Sequence, residues 1–183
     1  MASFRTLIVL MGPSGCGKST IGKLLGQALG YPFIEGDCFH PAANTKKMSA
    51  GEPLCDLDRE AWIDGVAKEC RTRPEASLVL ACSALTSYVQ KRLRSECDRR
   101  VCFVLLDLPR AALMDRLERR EGHFMPPELA DSQLAALSPP EDVLRVDATP
   151  GLLELVTSLS EALGQCGDRK HAPKAGQPHE GRH

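Results

Sequence analysis

The sequence predicts an α/β fold, a central five-stranded parallel sheet with helices on both faces, and three observations lead there. Five short apolar runs, at 6–11, 32–35, 78–82, 101–107 and 143–147, alternate with longer segments of helical period. The runs are apolar throughout rather than at every second residue, as strands covered on both faces must be. The first run passes directly into Gly12-Pro13-Ser14-Gly15-Cys16-Gly17-Lys18-Ser19, a glycine-rich turn between strand and helix.

Helical patterns fill the intervals at 18–29, 41–49, 56–73, 85–97, 109–120, 127–137 and 150–163. Gly30 suits a helix stop, and Pro109 and Pro150 each suit a first helical position. The chain of 183 residues is long enough for one domain with a sizeable core, expected over 1–164. From 165 to 183 the residues are mostly Gly, Pro, His and charge, which bury too little surface to offset ordering entropy, so a disordered tail is expected. No functional metal site is expected from its His171, His179 and His183.

A net charge of −1, with 26% charged residues of mixed sign, points away from nucleic acid and from membrane surfaces. A small-molecule partner is expected instead. The apolar run at 7–11 is too short to cross a bilayer and precedes no small-residue cleavage site, so the expected location is cytoplasmic. Eight scattered cysteines without a C-x-x-C pair read as reduced thiols rather than disulfides or zinc ligands.

The glycine-rich turn is a P-loop. Gly12, Gly15 and Gly17 let backbone N–H groups close around phosphate oxygens, and the following helix aims its N-terminal dipole at the same anion. Lys18 supplies a point charge to the β and γ oxygens, and the Ser19 hydroxyl can ligate Mg²⁺. In parallel sheets ligands lie at the carboxyl ends of strands, where this chain places Glu35-Gly36-Asp37, Cys82-Ser83 and Asp107. A lone carboxylate there is often a helix cap, but Asp37 adjoins the phosphate loop and is a candidate general base.

Two further clusters are rich in polar groups. Between His40 and Trp62, Asn44 and Lys47 share one helix face at i, i+3, Arg59 offers a planar fork for a carboxylate or phosphate, and Asp56 or Asp58 would serve as an ordinary cap. Between Arg116 and Pro127, arginines at a helix end are followed by Gly122-His123 and a proline pair. They read either as dipole complements or as a mobile lid that closes over nucleotide.

Taken together, GPSGCGKST at 12–20, HPxxNxxKM at 40–48, GxPLxDxDRxxW at 51–62, CSAL at 82–85 and RxGHFMPPELxxSQ at 120–133 closely resemble the gluconokinases. These are ATP-dependent kinases of the shikimate-kinase and nucleoside-monophosphate-kinase branch of P-loop proteins. The resemblance covers residues 7–163 and implies a P-loop kinase fold, ATP and Mg²⁺ as cofactors, D-gluconate as acceptor and a homodimer. It implies that residues 12–20 bind ATP, with Arg116 and Arg120 near adenine and the phosphates. It places Asp37 near the acceptor hydroxyl, His40, Asn44, Lys47, Arg59, Ser83 and His123 around gluconate, and Ser19 and Glu35 at the metal. Lys18, Asp37 and Arg120 would carry the chemistry.

The chain departs from the family pattern at Glu35, where Asp is usual, at Cys55, where Asn is usual, and at Thr86-Ser87, where two lysines are usual. Lys91, Arg92 and Arg94 are the nearest replacements for that charge. Another small polyol, sugar acid or shikimate as acceptor, or a nucleotide-binding regulatory module without catalysis, are the competing readings.

Overall fold

The computed structural model describes residues 5–119, 128–149 and 151–168. In chain order these form β1 (Thr6–Met11), α1 (Lys18–Leu29), β2 (Phe33–Glu35), α2 (Ala42–Ser49), α3 (Asp56–Thr72), β3 (Ser77–Ala81), α4 (Ser87–Glu96), β4 (Arg100–Asp107), α5 (Arg110–Glu118), α6 (Glu128–Ala136), β5 (Leu144–Asp147) and α7 (Leu152–Asp168). The five strands make one parallel sheet in the order β2-β3-β1-β4-β5.

The uninterrupted apolar runs follow from burial on both sides. In β1, Leu7, Val9 and Met11 pack against Trp62, Ile63 and Val66 of α3 and Val89 and Leu93 of α4. Ile8 and Leu10 face the other way, onto Ile21 and Leu25 of α1, Leu113 of α5 and Leu155 and Leu159 of α7. Strand β4 alternates likewise, with Phe103 and Leu105 on one face and Val104 and Leu106 on the other. A slip of one residue would exchange the two cores, so the register that sets the site is fixed by packing.

Most boundaries lie where local chemistry puts them. Gly30 ends α1 with φ 68°, and Tyr31 N–H closes back on Gly26 O at 2.9 Å. Pro109 sits one place before its expected position, as the residue that precedes α5. Helix α4 starts at Ser87 rather than 85, because Ala84 adopts a left-handed φ of 43° and the Thr86 hydroxyl caps the helix by accepting Val89 N–H. Helix α7 runs to Asp168, past the expected end at 163. Cys16, Cys38, Cys55, Cys70, Cys82, Cys97 and Cys102 are thiols, none paired in a disulfide.

After β2 the chain makes a single 3-10 turn, Gly36–Phe39, which carries Asp37. Gly36 is required by close approach, since a Cβ there would stand 2.5 Å from the Ala81 carbonyl oxygen of β3. Backbone cannot swing aside as a flexible side chain can. Gly36→Ala is therefore expected to lower stability by about 1–3 kcal/mol, the usual scale for overpacking, and to displace Asp37. Urea unfolding reads the first effect, and an unshifted midpoint would show that the two strand ends separate freely.

Candidate active site

Two cavities open along the carboxyl edge of the sheet. The larger, about 500 Å³, is lined by Gly15, Gly17, Ser19 and Thr20 of the P-loop, by Arg116, and by Ala148, Leu152 and Leu155. The smaller, about 160 Å³, is lined by His40, Glu52, Arg59, Trp62, Ser83, Gln133 and neighbouring, mostly apolar residues. Ser14, Lys18 and Asp37 line both. The division suits a nucleotide donor on one side and a small acceptor on the other.

The P-loop has the geometry its glycines predict. Gly12, Gly15 and Gly17 take φ values of 138°, 87° and 104°, which side chains with a Cβ rarely adopt. Lys18 is buried and folds back on its own loop, with Nζ donating to Gly12 O at 3.0 Å and Pro13 O at 2.9 Å. Arg116 reaches across to donate to Cys16 O at 3.2 Å and to Ala148 O at 2.8 Å, so one guanidinium joins the P-loop to the segment after β5. Below the site, burial pushes the Cys82 thiol up to about 12, which keeps it protonated and unreactive.

The acceptor side rests on a stacked pair. The His40 and Trp62 rings lie 4.5 Å apart and 12° from parallel, and Trp62 Nε1–H donates to Gly36 O at 2.8 Å. One indole thus supports both the imidazole and the turn that carries Asp37. Burial lowers the pKa of His40, the nearby Asp37 opposes that, and Arg59 adds to the lowering. The imidazole is neutral near pH 7.

Its tautomer is set from behind. Asn44 Nδ2 donates to Asp58 O at 2.7 Å, which identifies that atom as the amide nitrogen, and the same group lies 3.5 Å from His40 Nδ1. A donor facing Nδ1 leaves that nitrogen as the acceptor. Nε2–H is then the group that His40 can offer to the cavity it lines.

Not every expected residue enters a cavity. Asn44 and Lys47 do share a face, but both reach Asp58, Lys47 through an ion pair of 2.6 Å, and neither lines the acceptor cavity. Asp58 is held down to about 2, chiefly by Lys47 and by the Cys55 N–H at 2.9 Å, and it closes a capping box at the start of α3. Glu35 ends β2 and lines neither cavity. Arg92 is engaged by Glu96, Asp64 and Tyr88, and Arg94 by Asp142 at 2.6 Å. Neither replaces the missing lysines. Arg120, His123 and the expected lid at 122–127 lie outside the described residues.

Two residues gained a place that spacing alone did not give them. Trp62 is one, present in the sequence as the last residue of the motif at 51–62 but with no role read from it there. Gln133 of α6 is the other: its Oε1 accepts the Ser14 N–H at 2.6 Å across 119 residues.

A family model described as shikimate kinase matches residues 14–137. The chain is 46% identical over 144 residues to a gluconokinase of Gluconobacter oxydans, covering 76% of this chain and 80% of that protein. A solved gluconokinase from Sinorhizobium meliloti superposes with a TM-score of 0.80 at 37% identity, over 91% of this chain and 96% of that one. The shikimate kinase of Aquifex aeolicus, at 18% identity and a TM-score of 0.56 over 87% and 97% of the two chains, shares the fold.

The neutral His40 has a consequence for pH. The unfolded chain takes up this proton near pH 6.5 and the folded chain only at lower pH, so the group removes stability as pH falls below about 6.5. Asn44→Asp would face Nδ1 with a carboxylate and should raise the His40 pKa by about 1 or more, while moving the proton to Nδ1. Imidazole ¹⁵N NMR reads both, and an unchanged titration would mean that Asn44 does not govern the ring.

Proposed function

The chain belongs to the gluconokinase family of shikimate-kinase-like P-loop kinases, and from that premise we propose that it transfers the γ-phosphoryl group of ATP to the 6-hydroxyl of D-gluconate, giving 6-phosphogluconate. The observation that carries this reading is the pair of adjoining cavities with Ser14, Lys18 and Asp37 common to both. A donor and an acceptor bound side by side would meet at those three residues.

The roles follow from the chemistry of each group. Lys18 exchanges its loop carbonyls for the β and γ oxygens, where an ammonium gains more from phosphate charge than from neutral acceptors. Asp37 takes the proton from the acceptor hydroxyl as its oxygen bonds to the γ phosphorus and the bond to the β–γ bridging oxygen breaks, releasing ADP. Arg59 lines the acceptor cavity and offers a guanidinium to the gluconate carboxylate, while His40 and Ser83 offer polar groups to its hydroxyls. Arg116 borders the nucleotide cavity beside Leu152 and Leu155, which supply apolar contact for the base.

Mg²⁺ held mostly by phosphate oxygens and water needs only one or two protein groups, and Ser19 in the nucleotide cavity would supply one. The ion would neutralise charge developing on the β and γ oxygens. Glu35, outside both cavities, would act on it only through water. Arg120 and His123 are proposed, on the family resemblance alone, to add charge at the phosphates and a contact to gluconate. A homodimer and a cytoplasmic location are proposed on the same ground; no helix among the described residues is long and apolar enough to cross a membrane.

Turnover across gluconate, shikimate, gluconolactone and nucleoside monophosphates tests the acceptor, with gluconate expected to lead. Faster turnover of another of these would reassign it, and ATP binding without any product would leave a regulatory module. Lys18→Ala should reduce kcat at least about 10²-fold. Asp37→Asn should leave nucleotide affinity nearly unchanged while kcat falls about 10²–10⁴-fold; loss of ATP binding would instead assign Asp37 to the metal and nucleotide.

A further inference from the structure

A phosphoryl group that moves between the two cavities passes Ser14, Lys18 and Asp37. At this crossing the backbone N–H of Ser14 is held by a side chain from a distant element, Gln133 Oε1 of α6, at 2.6 Å. We infer that Gln133 is a positioning residue for the transfer, fixing Ser14 so that the P-loop presents the γ-phosphoryl group to the acceptor hydroxyl. The inference rests on the kinase reading above.

The residue type matters. An ammonium or guanidinium at this place could only donate, and would have nothing to offer an N–H. A carboxylate would accept the N–H more strongly, but would set a negative charge against the γ-phosphate at the seam. A glutamine amide accepts without charge. It holds the loop while leaving the electrostatics of the transfer to Lys18 and Asp37.

The element that carries Gln133 is anchored where such a role needs it. Ala130 of α6 is buried in the core formed by α1, α5 and α7, and Ser132 and Ala136 line the acceptor cavity on either side of Gln133. Just beyond the helix, Ser138 N–H donates to Leu85 O at 2.9 Å, and the buried amide of Gln90 donates to both Ser138 O and Ala84 O. One side chain of α6 therefore touches the donor loop while the following segment is fastened to the acceptor wall. A small error in this spacing would act on the alignment of the reactants rather than on the affinity of either.

Two variants and two nucleotides separate this role from a merely structural one. Gln133→Ala should reduce kcat at least about tenfold while ATP affinity and the gluconate KM change less than about threefold, and the Ser14 amide should exchange faster in the ligand-free protein. Gln133→Glu should keep the Ser14 amide protected, yet bind ATP at least about tenfold more weakly while ADP, which lacks the γ-phosphate, changes less than about threefold. Calorimetry reads the binding arms and NMR the exchange. Normal kcat in Gln133→Ala would overturn the proposal, and so would equal weakening of ADP and ATP in Gln133→Glu, which would place the side chain beside the whole nucleotide. Should Gln133→Ala fail to fold, the ATP-to-ADP ratio of Gln133→Glu still decides. Absence of gluconate turnover in the unmodified protein would remove the acceptor assignment, and the same ratio would still test where Gln133 stands.

Discussion

Two backbone hydrogen bonds fasten the phosphate loop to the strand end beside it: Cys82 N–H to Leu10 O and Gly12 N–H to Ser83 O, each 3.1 Å. The first continues the β1–β3 ladder, and the second carries it one step into the loop. Everything on the acceptor side is measured from this join, because Ser83 lines that cavity and Ala84, at φ 43°, turns the chain toward α4. The join can be placed accurately because β1 is buried on both faces between β3 and β4, where no other register keeps both cores filled. Strain at Ala84 is held by the same surroundings, with the Gln90 amide gripping its carbonyl.

How much of this was legible depends on whether the cause is local. The strands and the P-loop are written in contiguous residues, since an apolar run between two cores and a glycine-rich turn before a helix each carry their own reason. Helix α4 starts two residues after its sequence pattern does, because only the fold shows Ala84 left-handed and Thr86 turned to cap. The site was legible as a list of residues and less so as an arrangement. Asn44, Lys47 and Asp58 stand close in sequence to His40 and Arg59, yet Asn44 and Lys47 each bond to Asp58 while His40 and Arg59 line the cavity. Spacing gives a shared helix face; it does not say what that face meets.

The same limit applies to charge. Lys47, Arg92 and Arg94 look in the sequence like a supply of cations for an anionic acceptor, but each is engaged by a carboxylate, and Arg94 also lies over the Phe103 ring at 4.9 Å. Among the described residues, the basic side chains lining the acceptor cavity are Lys18 and Arg59. Arg59 is itself 2.8 Å from Asp56, so the field it presents is partly balanced. A cavity so provisioned suits an acceptor with one carboxylate and several hydroxyls better than one with multiple anionic groups.

The groups at the centre share a mode of support. His40 is backed by Trp62 and Asn44, the turn bearing Asp37 by the Trp62 indole and the close contact of Gly36 with β3, and Ser14 by Gln133. Apart from Asn44, which is buried, these supports border the acceptor cavity or adjoin a residue that does. All are neutral. Neutral supports fix geometry without altering the charge that the reaction must handle, which leaves the electrostatic work to Lys18, Asp37 and Arg59 and lets the acceptor's own polarity decide how it lies. Preorganisation of that kind comes from elements brought together only by the fold, and for this reason the supports are harder to read in the sequence than the groups they hold.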